Sequence, residues 1–376
     1  MTGNNRNNGD VQRILSDTIS RLLADHVSDR VRHEAEQGQF PTTTWQALVE
    51  AGLMDVLVFE GASTPTTGWP EASLLMRSAG AFGIPAPFVE TIIARWILSS
   101  AGLDAPDTPL TIAGLSGAGA GLVLDGTKGS FTVSGTLSRV PWGRDAEAVV
   151  TVVIKEGVPY AVCAPVAQSH VTHSVNLARE PRDNLSFDKA PVMAAATRLM
   201  PDSVMMAGAL ARAGQMAGAL DRVVALTVRY ARDRVQFGRP IAAFQAIQQA
   251  LAVLSTQAAA ADMAAEQAAQ AMHLAEESDA IFAVAVAKTR ADDATGIGAG
   301  MAHQIHGAIG FTYEHELQFS TRRLWSWRTE FGSGQYWAAR LGRAALDHGG
   351  DALWPWLVAH KTVGIDELKE RNYESV

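Results

Sequence analysis

Two stretches of this chain carry side chains that could grip an anionic ligand. The first reads Tyr230-Ala231-Arg232-Asp233-Arg234-Val235-Gln236-Phe237-Gly238-Arg239-Pro240-Ile241, followed by Phe244-Gln245-Ala246-Ile247-Gln248. Arginines 222, 229, 232, 234 and 239 fall within 18 residues, opposed only by Asp221 and Asp233. Guanidinium forks gathered at a helix end can hold a diphosphate bidentately. The same charges suit a solvated helix C-terminus, whose dipole favours cations. The second stretch reads Gln304-Ile305-His306-Gly307-Ala308-Ile309-Gly310-Phe311-Thr312, followed by Glu314 and Arg322-Arg323. Glycines 307 and 310 let a backbone approach a flat ligand closely. From the residues alone, phosphate or nucleotide binding and a plain solvated surface both fit.

Other chemistries find less support. The glycine-rich segment 114–121 is followed by Leu122-Val123-Leu124-Asp125-Gly126, which reads as strand and turn. A dinucleotide loop instead opens a helix, so this segment is read as a flexible connection. Histidines 303 and 306 have no cysteine partner and no carboxylate at ligand spacing, and no metal site is expected. Cys163, the single cysteine, lies in the apolar run Tyr160-Ala161-Val162-Cys163 and reads as a small buried hydrophobe. Neither a nucleophile elbow nor a Walker loop occurs.

The elements that must position these residues follow from composition and periodicity. The chain has 376 residues, 47% hydrophobic and 19% charged, which fits a core-rich globular protein of two or three structural units. A net charge of −8 argues against a nucleic-acid or anionic-membrane binder. Only six of the 31 basic residues are lysine, a bias that codon usage or carboxylate and phosphate recognition would each explain. No apolar run approaches the ~20 residues of a membrane span. The first ten residues are polar, without the apolar region of a signal peptide, so a cytoplasmic protein is expected.

Three regimes succeed one another. Leu15, Ile19, Leu22 and Leu23 recur at helical spacing, Thr42–Thr44 predicts a helix start that Gly52 ends, and Pro85 and Pro87 interrupt a later apolar pattern. A loop is expected from Gly61 to Pro70. From about 108 to 191, β-branched runs such as Val149–Ile154 alternate with turn pairs Asp125-Gly126, Lys128-Gly129 and Glu156-Gly157. From Pro201 the pattern is again helical, in long pieces: one that Phe237-Gly238 stops, with the glycine as a left-handed cap, a second from Ile241 to about Glu277, and a third from Ile281 to about His306. Shorter ones are expected near 317–328 and 334–347. The predicted fold class is α+β, with an N-terminal helical domain at residues 1–107 and a central antiparallel β-barrel or sandwich at 108–198. A C-terminal four-helix bundle at 199–350 and a tail at 351–376 complete it.

The two opening stretches, in this order, resemble the C-terminal domain of the acyl-CoA dehydrogenase family. Its members read tyrosine-alanine-x-x-arginine-x-x-phenylalanine-glycine-x-x-isoleucine, then phenylalanine-glutamine, and about 70 residues later glutamine-x-x-glycine-glycine-x-glycine. The resemblance implies FAD-dependent desaturation of an acyl-CoA thioester: a carboxylate removes the α-proton while the β-hydrogen leaves as hydride to the flavin. It also implies a homo- or heterotetramer and an electron-transfer flavoprotein or similar acceptor. By position, Arg234 would contact the FAD pyrophosphate, with Gln236 and Phe237 beside it. Gln304, Gly307 and Ala308 would meet the adenine-side half of a cofactor held mainly by another subunit.

The departures are as informative. The family's threonine-glutamate-proline…glycine-serine-aspartate loop is missing, and Leu110–Gly121 stands as a loop in its place. The catalytic glutamate's usual position, 21 residues beyond the last motif glycine, is Phe331; its alternative position falls near Gly208. Neither can take a proton. Glu330 is adjacent and is the candidate base of a self-sufficient homo-oligomer, although one residue turns a helix by about 100°. The other expectation is a base-lacking partner subunit of a heteromeric, steroid-type enzyme, and a third is a non-catalytic scaffold.

Overall fold

The computed structural model describes residues 3–59, 68–114, 121–274, 277–351, 354–355 and 358. The chain divides into two compact units, Met1–Gly208 and Ala209–Val376. The first unit opens with helices α1 (Gly3–His26), α2 (Asp29–Glu36), α3 (Thr42–Glu50), α4 (Trp69–Phe82) and α5 (Phe88–Ser100). Their apolar faces bury Ile19, Leu23, Leu48, Leu75, Met76 and Ile92. Gly52, at φ 65°, follows the end of α3, and the Pro85/Pro87 segment separates α4 from α5. Most of the loop expected at 61–70 lies outside the described residues; Trp69 and Pro70 already belong to α4.

Eight strands follow: β1 (Leu110–Ile112), β2 (Leu122–Thr127), β3 (Ser130–Pro141), β4 (Ala148–Lys155), β5 (Val158–Pro165), β6 (Ser169–Thr172), β7 (Arg182–Pro191) and β8 (Met193–Ala196). They form two four-stranded sheets, ordered β1-β4-β5-β8 and β2-β3-β7-β6. Leu124, Val133 and Leu185 of one sheet share a buried core with Val149, Val153 and Val162 of the other. Among the described residues this is a sandwich, and no sheet closes into a barrel.

Two details correct the sequence reading. Leu110–Ile112 is a strand, parallel to β4 in an otherwise antiparallel unit; its three residues are buried, and the Thr91 hydroxyl of α5 donates to Leu110 O at 2.9 Å. Only the end of that expected loop, 113–114 and 121, is described as non-strand; 115–120, most of the glycine-rich connection, lie outside the described residues. Asp125-Gly126 is no turn: both residues pair within β2–β3, and the reversal is made by Lys128-Gly129.

The second unit holds most of α6 (Pro201–Asp233), then α7 (Gln245–Leu274), α8 (Glu277–His306), α9 (Leu317–Trp327) and α10 (Gly334–His348). Helices α7 and α8 pack together, and alanines at helical spacing are buried on both: Ala258, Ala261, Ala265 and Ala268 on α7, and Ala287, Ala291, Ala294 and Ala302 on α8. A Cβ at Gly298 of α8 would stand 3.1 Å from both Leu220 of α6 and Leu254 of α7, so these three helices approach closely there. No helix among the described residues is long and apolar enough to cross a membrane.

Candidate functional site

The two arginine- and glutamine-bearing stretches meet at one end of the bundle. Helix α6 ends at Asp233, and Val235-Gln236 pairs antiparallel with Arg239-Pro240 around Phe237 (φ 53°) and Gly238 (φ 79°). Gly238 is thus a hairpin residue, not the helix cap its sequence suggested, because two consecutive positive φ angles make a type I′ reversal. Arg234 is rooted by its backbone: its N–H donates to Tyr230 O at 2.9 Å and its carbonyl accepts from Ile241 N at 2.8 Å. Its side chain, and those of Gln236 and Phe237, are exposed; Phe237 is 93% exposed. The second long helix starts at Gln245 instead of Ile241, after a 3₁₀ turn at Ile241–Ala243 and an extended Phe244.

Helix α8 brings Gln304 to the same place and breaks at Gly307 (φ 62°) into the 3₁₀ turn Gly307–Phe311. Gln304, Gly307 and Ala308 are exposed. Contact between the stretches is made by the imidazole of His306, stacked on the Tyr230 ring at 4.5 Å.

The arginine cluster is divided. Glu316 pairs with both Arg222 and Arg229. Among the described residues no carboxylate pairs with Arg232, Arg234 or Arg239, and Arg239 lies 4.3 Å over the Phe244 ring. The free anion-binding capacity therefore belongs to the hairpin arginines. No group of three or more metal-ligating side chains occurs among the described residues.

Glu330 stands elsewhere. It accepts from the Nε of Arg212 at 2.7 Å, and the Arg212 guanidinium is buried, bonded also to Gln215 and 5.5 Å from the Phe331 ring. From Arg212 to the end of α6 is about 30 Å at 1.5 Å per residue. The candidate base and the candidate cofactor-binding residues thus sit at different levels of the bundle. Gly208, the alternative base position, precedes Arg212 by four residues in the same helix.

Sequence reasoning missed the rest of this buried charge cluster. Lys288 is 0% exposed and donates to Trp327 O at 3.2 Å and Arg328 O at 2.7 Å, while Arg328 pairs with Asp292. A lysine directly following the apolar run Ile281–Ala287 was the available signal. Burial pushes the Lys288 ammonium down to about 7, against the attraction of Asp292 and Glu330. Its ordinary value being higher, the unfolded chain holds the extra proton between about pH 7 and about pH 10, and stability must rise across that window. Denaturation midpoints of the native chain are expected to climb from neutral to alkaline pH relative to Lys288→Met, whose slope lacks this contribution. Equal slopes would contradict the assignment.

Comparison with known proteins gives a consistent picture. Residues 200–346 match the acyl-CoA dehydrogenase C-terminal domain. The chain is 27% identical over 323 residues to acyl-CoA dehydrogenase IpdE2 of Mycolicibacterium smegmatis, covering 83% of this chain and 91% of that protein. Its fold is that of the ChsE4-ChsE5 complex from Mycobacterium tuberculosis, with a TM-score of 0.77 at 20% identity over 88% of this chain and 96% of that one. The Tcur3481-Tcur3483 steroid ACAD is similarly related, with a TM-score of 0.81 at 21% identity over 90% and 98% of the two chains.

Proposed function

We propose that this chain, whose residues 200–346 match the acyl-CoA dehydrogenase C-terminal domain, is the base-lacking subunit of a heteromeric, FAD-dependent acyl-CoA dehydrogenase. The complex desaturates an acyl-CoA thioester between its α and β carbons, and a homologous partner supplies the glutamate. The observation that carries this reading is the pairing at residues 330 and 331. Counted from the last motif glycine, the family base would stand at Phe331, whose side chain has no proton acceptor. The neighbouring Glu330 has its carboxylate engaged by buried Arg212. A general base must reach the proton it removes, and this one is held against its own helix bundle.

The exposed hairpin suits the cofactor. Unpaired Arg234 with Arg232 and Arg239 offers planar donors for a diphosphate, and open space lies where a Cβ would stand at Gly238 and Gly307. Arg234 would hold the FAD diphosphate, with Gln236 and the Phe237 ring beside it. Gln304, Gly307 and Ala308 would receive the adenine-side half. The bound flavin supplies the acceptor for the substrate hydride. An electron-transfer flavoprotein or similar acceptor would then remove the electrons. A cofactor shared between chains also accounts for the separation of Glu330 from the hairpin. The proposed substrate class is a bulky, steroid-derived acyl-CoA, supported by the steroid designation of one structural neighbour.

Co-expression tests the reading. A complex with a glutamate-bearing homologue should purify with bound flavin and reduce an electron acceptor in the presence of acyl-CoA, whereas this chain alone should do neither. Turnover by the chain alone, abolished in Glu330→Gln, would make it self-sufficient. Absence of flavin in every co-expressed complex would leave a scaffold.

A further inference from the structure

We propose that the turn Gly307–Phe311 is a proton-operated latch, seated on the neutral imidazoles of His303 and His306 and opening when they are protonated. The consequence for function rests on the reading above: opening would dismantle the cofactor half-site assigned to Gln304, Gly307 and Ala308.

The geometry carries the inference. His306 is 3% exposed, and its Nδ1 lies 2.7 Å from Ala302 O. A carbonyl only accepts, so Nδ1 bears the hydrogen and Nε2 presents a lone pair. That Nε2 is buried with no hydrogen-bond partner. His303 repeats the arrangement one turn earlier. The Thr321 hydroxyl donates to Leu317 O at 3.3 Å, so its oxygen accepts from His303 Nε2 at 3.0 Å. This leaves His303 Nδ1 as the buried, unpartnered lone pair. Each ring is also stacked on an aromatic, His306 on Tyr230 at 4.5 Å and His303 on Phe311 at 4.3 Å. The turn closes directly over them: a Cβ at Gly310 would stand 2.9 Å from His306 Cβ and 3.3 Å from His303 Nδ1.

Protonation therefore creates two buried N–H groups with no acceptor, an arrangement that costs free energy until the rings reach water. The surroundings offer little compensation. On α6 stand Tyr230 and Arg229; the loop before α9 holds His315, 4.8 Å from His306, and Glu316, already engaged by Arg222 and Arg229; α9 contributes Thr321; the turn itself has no titratable side chain. Burial first, then neighbouring histidines, hold both His303 and His306 below the ordinary imidazole value. The open form binds more protons than the closed one as pH falls through that ordinary value, so acid favours opening.

Hydrogen exchange of the full chain without cofactor, corrected for intrinsic rates, tests the latch between about pH 7.5 and about pH 5.5. Amides of residues 307–312 should lose protection roughly tenfold or more on acidification while those of α7 do not. The double variant His303→Phe with His306→Phe, which keeps both stacked aromatics but cannot titrate, should show less than about a twofold change. Unchanged protection at the acid end, or the same loss in the double variant, would overturn the latch. Should that variant fold poorly, the ring of His306 in the native chain decides by NMR. Its titration must share the midpoint of opening, and a different midpoint rejects the proposal. These outcomes do not depend on finding a partner. In a flavin-bearing complex, acid release of flavin in step with turn opening supports the functional consequence, and retention with the turn open refutes it.

Discussion

Replacing Trp337 with alanine is expected to lower the unfolding free energy by about 3–5 kcal/mol, the cost of deleting a large buried aromatic from a packed site. Trp337 is 0% exposed, and its indole Nε1 donates to Phe331 O at 3.0 Å. That bond pins an awkward piece of backbone, because Phe331 (φ 51°) and Gly332 (φ 85°) are consecutive left-handed residues. A non-glycine residue resists this conformation by roughly 1–2 kcal/mol. The indole fills the space beside Gly332, where a Cβ would stand 2.7 Å from Nε1. Ser333 then caps α10 by accepting from Tyr336 N at 3.1 Å. Trp337→Phe keeps an apolar ring and loses the hydrogen bond, so it should cost less, about 1–2 kcal/mol. Chemical denaturation of both variants checks the ordering. Equal losses would mean that the bond to Phe331, which both variants lack, and not filling the space, holds the turn.

This turn also shows why part of the site was legible in the sequence and part was not. Helices α6 to α10 could be placed within a few residues because their apolar and alanine positions recur at helical spacing. The hairpin and the Gln304 turn announced themselves as local runs of unusual residues, and their meeting through Tyr230 and His306 needs only that α6 and α8 end together. Arg212 and Glu330 are different, because 118 residues separate them and neither flanking segment signals the other. A buried guanidinium reads as a surface arginine until its partner is seen. Local signals mislead where tertiary pairing overrides them. Asp125-Gly126 has the composition of a turn, yet pairing of β2 with β3 continues through Thr127 opposite Ser130 and moves the reversal three residues on. Arginines 222 and 229 looked like anion-binding groups, and Glu316, beyond the reach of any local pattern, claims both.

That division of the arginines sharpens the expected behaviour of Arg234. In a flavin-bearing complex, Arg234→Ala should weaken FAD retention roughly ten- to a hundredfold, the range for losing one or two charge-assisted hydrogen bonds. The fold should survive, because the contacts that root this residue are its backbone bonds to Tyr230 and Ile241, which alanine keeps. Arg234→Lys should recover only part of the loss, since an ammonium supplies charge without the planar fork. Alanine at 222 or 229 should affect retention much less, each being spent on Glu316. Flavin-to-protein ratios after gel filtration, read at two ionic strengths, distinguish these cases: contacts to a diphosphate weaken with salt, whereas an effect through misfolding does not follow ionic strength in that way. Full flavin occupancy in Arg234→Ala, with Arg222→Ala or Arg229→Ala depleted instead, would move the cofactor away from the hairpin and onto the flank of α6.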